Sequence, residues 1–332
     1  MDDNEVMDWL LAGDPAIRWQ AMRDLNGAPA QEVAAERAAV ARDGWGRQLL
    51  DLQSDGQWAG GACFPGQGWR PPGPVVGDPD GQPWVATLPT LRLLRECGID
   101  PADPEVRAAV DGVREHCRWE YAGEPFFEGE VEPCINGGTV AIGAYFGQDV
   151  EGVVTRLLGE QLEDGGWNCE AENGSTRSSF HTTLCVLEGL LEWERAQGQG
   201  GAGTSDLARQ VASARQRGED YLLARGLSRR LSTGEVADPD WLQFSFPPQW
   251  HYDVLRGFDY FRAAGGTPDP RLAEVADHVR DRREPDGTWR QENTHPGLVH
   301  FELEDGDGAP SRWNTLRALR SLRWHDAARS TP

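Results

Sequence analysis

A six-residue segment that precedes an apolar, helix-like run occurs five times along the chain. Its copies are PWVATL (83–88), EPCING (132–137), SFHTTL (179–184), QWHYDV (249–254) and SRWNTL (311–316). Successive copies start 47 to 70 residues apart, which is the spacing of a helical hairpin with its turn. Repetition at this period is typical of repeat architectures, in which each unit buries its apolar face against its neighbours.

The third position of the repeated segment changes character along the chain. It holds apolar residues in the first and last copies and metal-ligand types in the middle three: Val85, Cys134, His181, His251 and Trp313. In a closed ring of hairpins, equivalent positions point towards a common centre. The pattern therefore predicts that Cys134, His181 and His251 converge on one ion, since thiolate and imidazole are ligands that zinc prefers.

A tryptophan-containing turn recurs between the helical stretches. It has the form Q-x-x-D-G-x-W in QLEDGGW at Gln161–Trp167, occurs one residue shorter as QSDGQW at Gln53–Trp58, and is degraded at Glu284–Trp289. Asp-Gly favours a tight turn, because glycine accepts a positive φ and aspartate bonds its own backbone. We expect each tryptophan to pack back over its hairpin.

Apolar periodicity predicts two alternating sets of helices. An amphipathic outer set is expected at 32–52, 104–117, 149–162, 206–225 and 270–284. A more apolar inner set is expected at 86–97, 136–147, 181–196, 251–264 and 313–325. The Gly-rich stretch 197–205 is predicted to be a flexible loop between the inner helix at 181–196 and the outer helix at 206–225.

This alternation predicts an all-α protein that forms a single α/α toroid domain over residues 1–332, a closed double ring of helical hairpins. Residues 1–30 form short helices in this prediction and resemble a HEAT unit. An open solenoid of the HEAT kind is the alternative architecture. The contrast in polarity between the two helix sets and the Gly-rich loops favour the closed ring.

Composition limits the partners. The 332 residues carry a formal net charge of −22, 39% apolar residues and 14 tryptophans. This composition indicates a folded protein that does not bind nucleic acid or anionic membranes, which would repel it. No apolar stretch approaches a membrane span and the first residues lack a secretory signal, so we expect a cytoplasmic protein whose six cysteines are free thiols or ligands.

Residues 129–193 carry a family resemblance. Glu132 and Cys134 lie at the start of one inner helix, QLEDGGW follows at 161–167, and His181 lies at the start of the next inner helix. This order is similar to the zinc-binding region of protein prenyltransferase β subunits, and the turn resembles the QW motif of squalene–hopene-type cyclases. The resemblance implies the α/α toroid and a Zn²⁺ site made by Glu132, Cys134 and His181.

Two features depart from the family pattern. The family has Asp where this chain has Glu132, and it makes no use of the position of His251 for metal. His251 is therefore either a fourth ligand that closes a structural site or a general acid/base beside the metal. Asp253, two residues further on, is expected to orient His251 or to accept a proton.

Aromatic and basic residues suggest how a substrate would be held. Aromatic faces stabilise carbocations, although aromatic side chains that merely cap the barrel mouth would give the same pattern. Arginine suits a diphosphate, although it also serves on a solvated face. The predicted substrate-binding residues are Trp84, Phe180, Trp250, Tyr252, Trp313, Arg229 and Arg230.

Three functions are compatible with these patterns. The first is a zinc enzyme of the prenyltransferase or terpenoid cyclase kind that acts on an isoprenoid or other apolar substrate by transfer, cyclisation or lyase chemistry. The second is a zinc enzyme of the same fold that acts on a non-isoprenoid thiol or carbonyl compound. The third is a non-catalytic repeat scaffold with a structural metal. The sequence names no protein partner.

Overall fold

The helices of this chain follow the predicted alternation. A computed structural model describes residues 3–200 and 205–329, and these residues are mostly helical. The helices are α1 (Asp3–Leu11), α2 (Pro15–Ala21), α3 (Ala30–Ala39), α4 (Gly44–Asp51), α5 (Thr87–Glu96), α6 (Pro104–His116), α7 (Pro133–Tyr145), α8 (Glu151–Gly159), α9 (Phe180–Gly200), α10 (Asp206–Leu223), α11 (Val254–Ala264), α12 (Ala273–Asp281) and α13 (Arg312–Arg329). The all-α prediction is confirmed.

Two boundaries differ from the prediction. The stretch predicted as one helix at 32–52 forms α3 and α4, because Asp43 accepts a hydrogen bond from the backbone of Gly44 and caps a new helix there. Gly44 has a φ of 65°, a conformation that glycine adopts without strain. The loop predicted at 197–205 is shorter, since α9 continues to Gly200. Residues 201–204 lie outside the described ranges.

The helices of the predicted inner set contact one another in chain order. Contacts join α5 to α7, α7 to α9, α9 to α11 and α11 to α13, and α13 also contacts α2 near the start of the chain. Helix α4 contacts both α2 and α5. Within the described residues, no helix is both long enough and apolar enough to cross a lipid bilayer.

The closest helix pair is α7 with α9, and glycines make this approach possible. A Cβ on Gly137 of α7 would lie 2.5 Å from the carbonyl oxygen of Cys185, and a Cβ on Gly189 of α9 would lie 2.4 Å from that of Gly137. Any larger side chain at either position would push the backbones apart. Cys134 and His181 are the second residues of α7 and α9, so their position depends on this contact.

The three tryptophan turns make the same pair of hydrogen bonds. Each indole N–H donates at 2.7 Å to a carbonyl of the helix before the turn, and each tryptophan backbone N–H donates to a threonine hydroxyl in the first residues of the next apolar helix. The indole bonds join Trp58 to Leu49, Trp167 to Leu157 and Trp289 to Val279; the backbone bonds join the same residues to Thr87, Thr183 and Thr315 at 3.1, 3.0 and 2.9 Å. All three tryptophans are fully buried.

Short strands tie two long loops together. Strand β1 (Val76–Gly77) pairs antiparallel with β3 (Leu298–Val299), and β2 (Trp289–Arg290) pairs antiparallel with β4 (Pro310–Ser311). The first pair brings the loop that precedes α5 against the loop that precedes α13. Both loops line cavities near the starts of the apolar helices.

Replacing Thr183 by valine should lower the free energy of unfolding by about 1–2 kcal/mol, because the buried backbone N–H of Trp167 loses its acceptor. Urea unfolding followed by tryptophan fluorescence measures the change. Thr155→Val is the matched control, since Thr155 is exposed on α8. An equal effect of the two substitutions would contradict the proposed role of the threonine.

Candidate metal centre

Three potential metal ligands lie together at the start of α7. The ligand atoms of Glu132, Cys134 and Cys169 all lie within 4.8 Å of one another, and the Cys134 Sγ is 3.6 Å from a carboxylate oxygen of Glu132. Glu132 is the residue that precedes α7, and Cys134 is in its first turn. Cys169 begins a short 3₁₀ turn that Asn168 caps, two residues after the buried Trp167.

The geometry of this cluster suits zinc. With Zn–S bonds of about 2.3 Å and a Zn–O bond of about 2.0 Å, a tetrahedral ion holds a sulfur and an oxygen ligand about 3.5 Å apart. The 3.6 Å between Cys134 Sγ and the Glu132 carboxylate agrees with that separation. Two sulfurs and a carboxylate are also a donor set that zinc accepts. The three residues could therefore hold a metal ion.

Cys169 is the member of the cluster that sequence reasoning missed. Interaction between the Cys134 and Cys169 thiols lowers the pKa of Cys169 and raises the pKa of Cys134. The Thr182 hydroxyl lies 3.5 Å from the Cys169 sulfur. The sequence feature that could have identified Cys169 is its position two residues after the end of the QLEDGGW turn. That turn is hydrogen-bonded to the first residues of α9.

His181, a predicted metal ligand, lines the same cavity as the cluster, and one nitrogen of its ring has a backbone partner. Its Nδ1 accepts a hydrogen bond of 2.8 Å from the backbone N–H of Tyr252. A neutral imidazole that accepts at Nδ1 carries its proton on Nε2, whereas a metal-bound histidine donates from the nitrogen that does not bind the metal. Burial lowers the pKa of His181 to about 4, so the ring is neutral at pH 7 and offers an Nε2–H donor.

His251 lies in an aromatic stack beside this cavity. Its ring is sandwiched between Trp250, at 3.8 Å between ring centroids, and His295, at 3.7 Å. The His181 and His251 rings are 6.3 Å apart, and the buried Nδ1 of His251 has no hydrogen-bond partner among the described residues. Burial lowers the pKa of His251 to about 3, so the imidazole is neutral at pH 7.

Asp253 caps α11. Its carboxylate accepts a 2.7 Å hydrogen bond from the backbone of Arg256 and a weaker one from Ser245, and burial raises its pKa. Ser245 also contacts His295, the ring that stacks on His251. The structure therefore connects Asp253 to His251 indirectly, through Ser245 and His295.

A cavity of about 440 Å³ opens beside the cluster. Glu132, Cys134, Cys169 and His181 line one part of it, and the apolar part is formed mainly by Phe64, Trp84, Leu88, Pro89, Ile135 and Trp250. Polar side chains, among them Arg92 and Glu170, complete the lining. A cavity of this size that combines apolar walls with polar groups is typical of a small-molecule site. Cys63 also lines it, and burial raises the pKa of that thiol to about 12.

The predicted substrate residues occupy different environments. Trp84 and Trp250 line the cavity. Phe180 and Tyr252 are buried and pack against Trp241. Trp313 stacks between Trp45 and Phe246.

The two arginines predicted to bind the substrate, Arg229 and Arg230, do not line the cavity beside the cluster. Arg229 pairs with Glu274, and Arg230 donates to the carbonyl oxygens of Val236 and Ala237. The arginine that lines the cavity is Arg92, which donates to the Cys134 carbonyl oxygen at 3.2 Å. Sequence analysis assigned no role to Arg92, since it lies inside an apolar helix with no motif around it.

Stability should fall as the pH is lowered from 7 to 5, in part because of His300, which contacts the Thr90 hydroxyl. Burial lowers the pKa of His300 from 6.5 to about 4. Between these values the unfolded chain binds a proton that the folded chain does not, so the free energy of unfolding decreases with falling pH. His300→Asn should reduce this slope by up to about 1.4 kcal/mol per pH unit.

Urea unfolding at pH 7, 6 and 5 measures the slope. His116→Asn is the matched control, because His116 is exposed. Equal slopes for the native chain and His300→Asn would show that this imidazole does not resist protonation in the folded state.

No family model matches this chain, and no curated protein matches it at a significant level. What the site does must therefore be argued from its own residues.

Proposed function

We propose that this chain is a zinc-dependent enzyme of the prenyltransferase and terpenoid cyclase kind that acts on an isoprenoid or another apolar small molecule. The observation that carries this proposal is the cluster of Glu132, Cys134 and Cys169 at the wall of a largely apolar cavity. A zinc-suited donor set beside an apolar cavity combines the two requirements of such chemistry in one place.

The proposal includes an α/α toroid. The order of helix contacts supports it, because the apolar helices touch in sequence from α5 to α13 and α13 returns to α2. The repeated tryptophan turns support it too, since each one joins an amphipathic helix to the next apolar helix by the same two hydrogen bonds. In a ring of this kind, the starts of all apolar helices face one mouth, where the cluster would lie.

The proposed zinc ligands are Glu132, Cys134 and Cys169. Three protein ligands leave one coordination position, which is the pattern of catalytic rather than structural zinc. Zinc supplies acidification of a coordinated thiol or water at neutral pH. In this arrangement His181 is a hydrogen-bond donor through Nε2, and the amide of Tyr252 holds its ring in that orientation.

The cavity suggests how a substrate would lie. The faces of Trp84 and Trp250 offer apolar contact and can stabilise a developing positive charge. Arg92 places one guanidinium in the same cavity, where it can bind an anionic group. An allylic diphosphate with a thiol acceptor meets both conditions: the S–H bond of the thiol and the C–O bond to diphosphate break, a C–S bond forms, and diphosphate and the thiol proton leave.

Zinc content is the first test. The native chain, purified without chelator, should contain about one zinc per chain, and Cys134→Ser and Cys169→Ser should each lose most of it because a ligand is removed. Cys63→Ser should keep it, as Cys63 lines the cavity outside the cluster. Elemental analysis of the four proteins measures the stoichiometry.

The His181→Gln variant distinguishes a metal site with three protein ligands from one in which His181 is a fourth ligand. Retention of zinc is expected, because the proposed ligands are unchanged. Loss of zinc would make His181 a fourth ligand, and the resulting closed site would favour a structural metal in a non-catalytic scaffold. A native chain without metal would overturn the zinc proposal altogether.

Turnover is the second test. The zinc-loaded protein should convert ten- or fifteen-carbon allylic diphosphates and a small thiol to a thioether with release of diphosphate, as measured by mass spectrometry. Trp250→Ala should raise KM about tenfold through lost apolar contact, whereas Tyr121→Ala, which alters an exposed aromatic outside the cavity lining, should not. Absence of turnover with zinc bound would favour a non-isoprenoid thiol or carbonyl substrate.

A further inference from the structure

A second cavity, of about 310 Å³, lies among the apolar helices away from the metal cluster. Its lining comes mainly from α2, α3, α5, α7, α9, α11 and α13 and from the loop that precedes α11. Eight arginines and four carboxylates face it. This excess of positive charge stands out in a chain whose formal net charge is −22.

The deep carboxylates are already paired. Glu192 lies 3.2 Å from Arg95, Glu188 lies 2.7 Å from Arg256, and Asp259 pairs with Arg320. Asp259 also accepts from Arg262. These carboxylates therefore already form ion pairs with Arg95, Arg256, Arg262 and Arg320.

Arg317 has no such partner. Its side chain is buried, and its guanidinium donates to the carbonyl oxygen of Ser245 at 3.1 Å and to Asn314 at 3.5 Å. The described residues supply no carboxylate within 4 Å of it. Asp253 and Asp259 interact with it electrostatically over a longer distance, but its N–H groups bond only neutral acceptors. The guanidinium is therefore suited to bind an added anion through charge-assisted hydrogen bonds.

Two further arginines of this cavity also have capacity to bind an anion. Arg37 donates to the Gly98 carbonyl oxygen and to the Tyr145 hydroxyl, and it forms no ion pair with the described residues. The Nε of Arg95 is buried without a hydrogen-bond partner in the described part of the chain. The cavity thus combines uncompensated charge with spare donor capacity.

We infer that this cavity binds a small oxyanion of the phosphate class, either inorganic phosphate or the phosphate group of a small metabolite. Guanidinium groups bind phosphate through paired N–H donors, and these bonds are strong where water is excluded. The volume admits one or two phosphate groups with a small remainder. None of the proposed metal ligands lines this cavity, so anion binding here is independent of the proposed enzymatic function.

A narrow space of about 40 Å³ lies between the two cavities. Arg92 and Gln249 line both this space and the cavity beside the metal cluster, and Arg95 and Arg256 line both this space and the arginine-rich cavity. Arginine side chains therefore line the whole path from the cavity beside the metal cluster to the arginine-rich cavity.

Phosphate binding tests the inference. Isothermal titration with inorganic phosphate, at constant ionic strength set with chloride, should show about one site per chain. Arg317→Gln should weaken binding about tenfold or more, because a charge-assisted bond is lost. Arg37→Gln should also weaken it and covers the case in which Arg317→Gln does not fold. Arg114→Gln, an exposed residue paired with Asp111, removes the same charge and should bind like the native chain.

The same titration in Cys134→Ser separates this site from the metal. Unchanged phosphate binding there supports a site in the arginine-rich cavity, whether or not the zinc proposal holds. Loss of binding in Cys134→Ser, with Arg317→Gln unaffected, would place phosphate at the metal and overturn the inference. No binding to the native chain, or equal binding to all the arginine variants, would overturn it as well. A metabolite as the source would show as tighter binding of diphosphate or a sugar phosphate than of phosphate alone.

Discussion

The structure depends on one repeated pair of hydrogen bonds, made by a buried tryptophan between two helices. The indole N–H of Trp167 satisfies a carbonyl at the end of α8, and its backbone N–H is satisfied by Thr183 at the start of α9. A helix end has unpaired carbonyl groups that must find donors when buried. The tryptophan supplies such a donor and fills the adjacent space, so the path of the chain between the two helices is determined locally.

The candidate metal centre is a consequence of that turn and of one helix contact. Cys169 follows Trp167 by two residues and His181 precedes Thr183 by two, so the same pair of bonds positions both. The close approach of α7 and α9 at Gly137 and Gly189 then brings Cys134 to the same place. The site is therefore built from local turns that a single packing contact brings together.

The charge distribution around the arginine-rich cavity is likewise determined by how the helices pack and not by local sequence. The chain is strongly acidic, yet its arginine-rich cavity gathers cations from helices far apart in sequence. Arg95, Arg256 and Arg320 each have an acidic partner from another helix, while Arg317 has only neutral acceptors. A surplus of buried positive charge in an acidic protein is what a site for an anion requires.

The sequence by itself determined the helical class, most helix positions and the tryptophan turns, because apolar periodicity and Asp-Gly-x-Trp act over a few residues. It also placed Glu132 and Cys134 at a helix start as ligand candidates. The tertiary structure decided that Cys169 joins them, that the Tyr252 amide sets the tautomer of His181, and that Arg92 rather than Arg229 or Arg230 lines the cavity beside the cluster. These relations join residues tens of positions apart, and their distances depend on how helices pack, which no local pattern encodes.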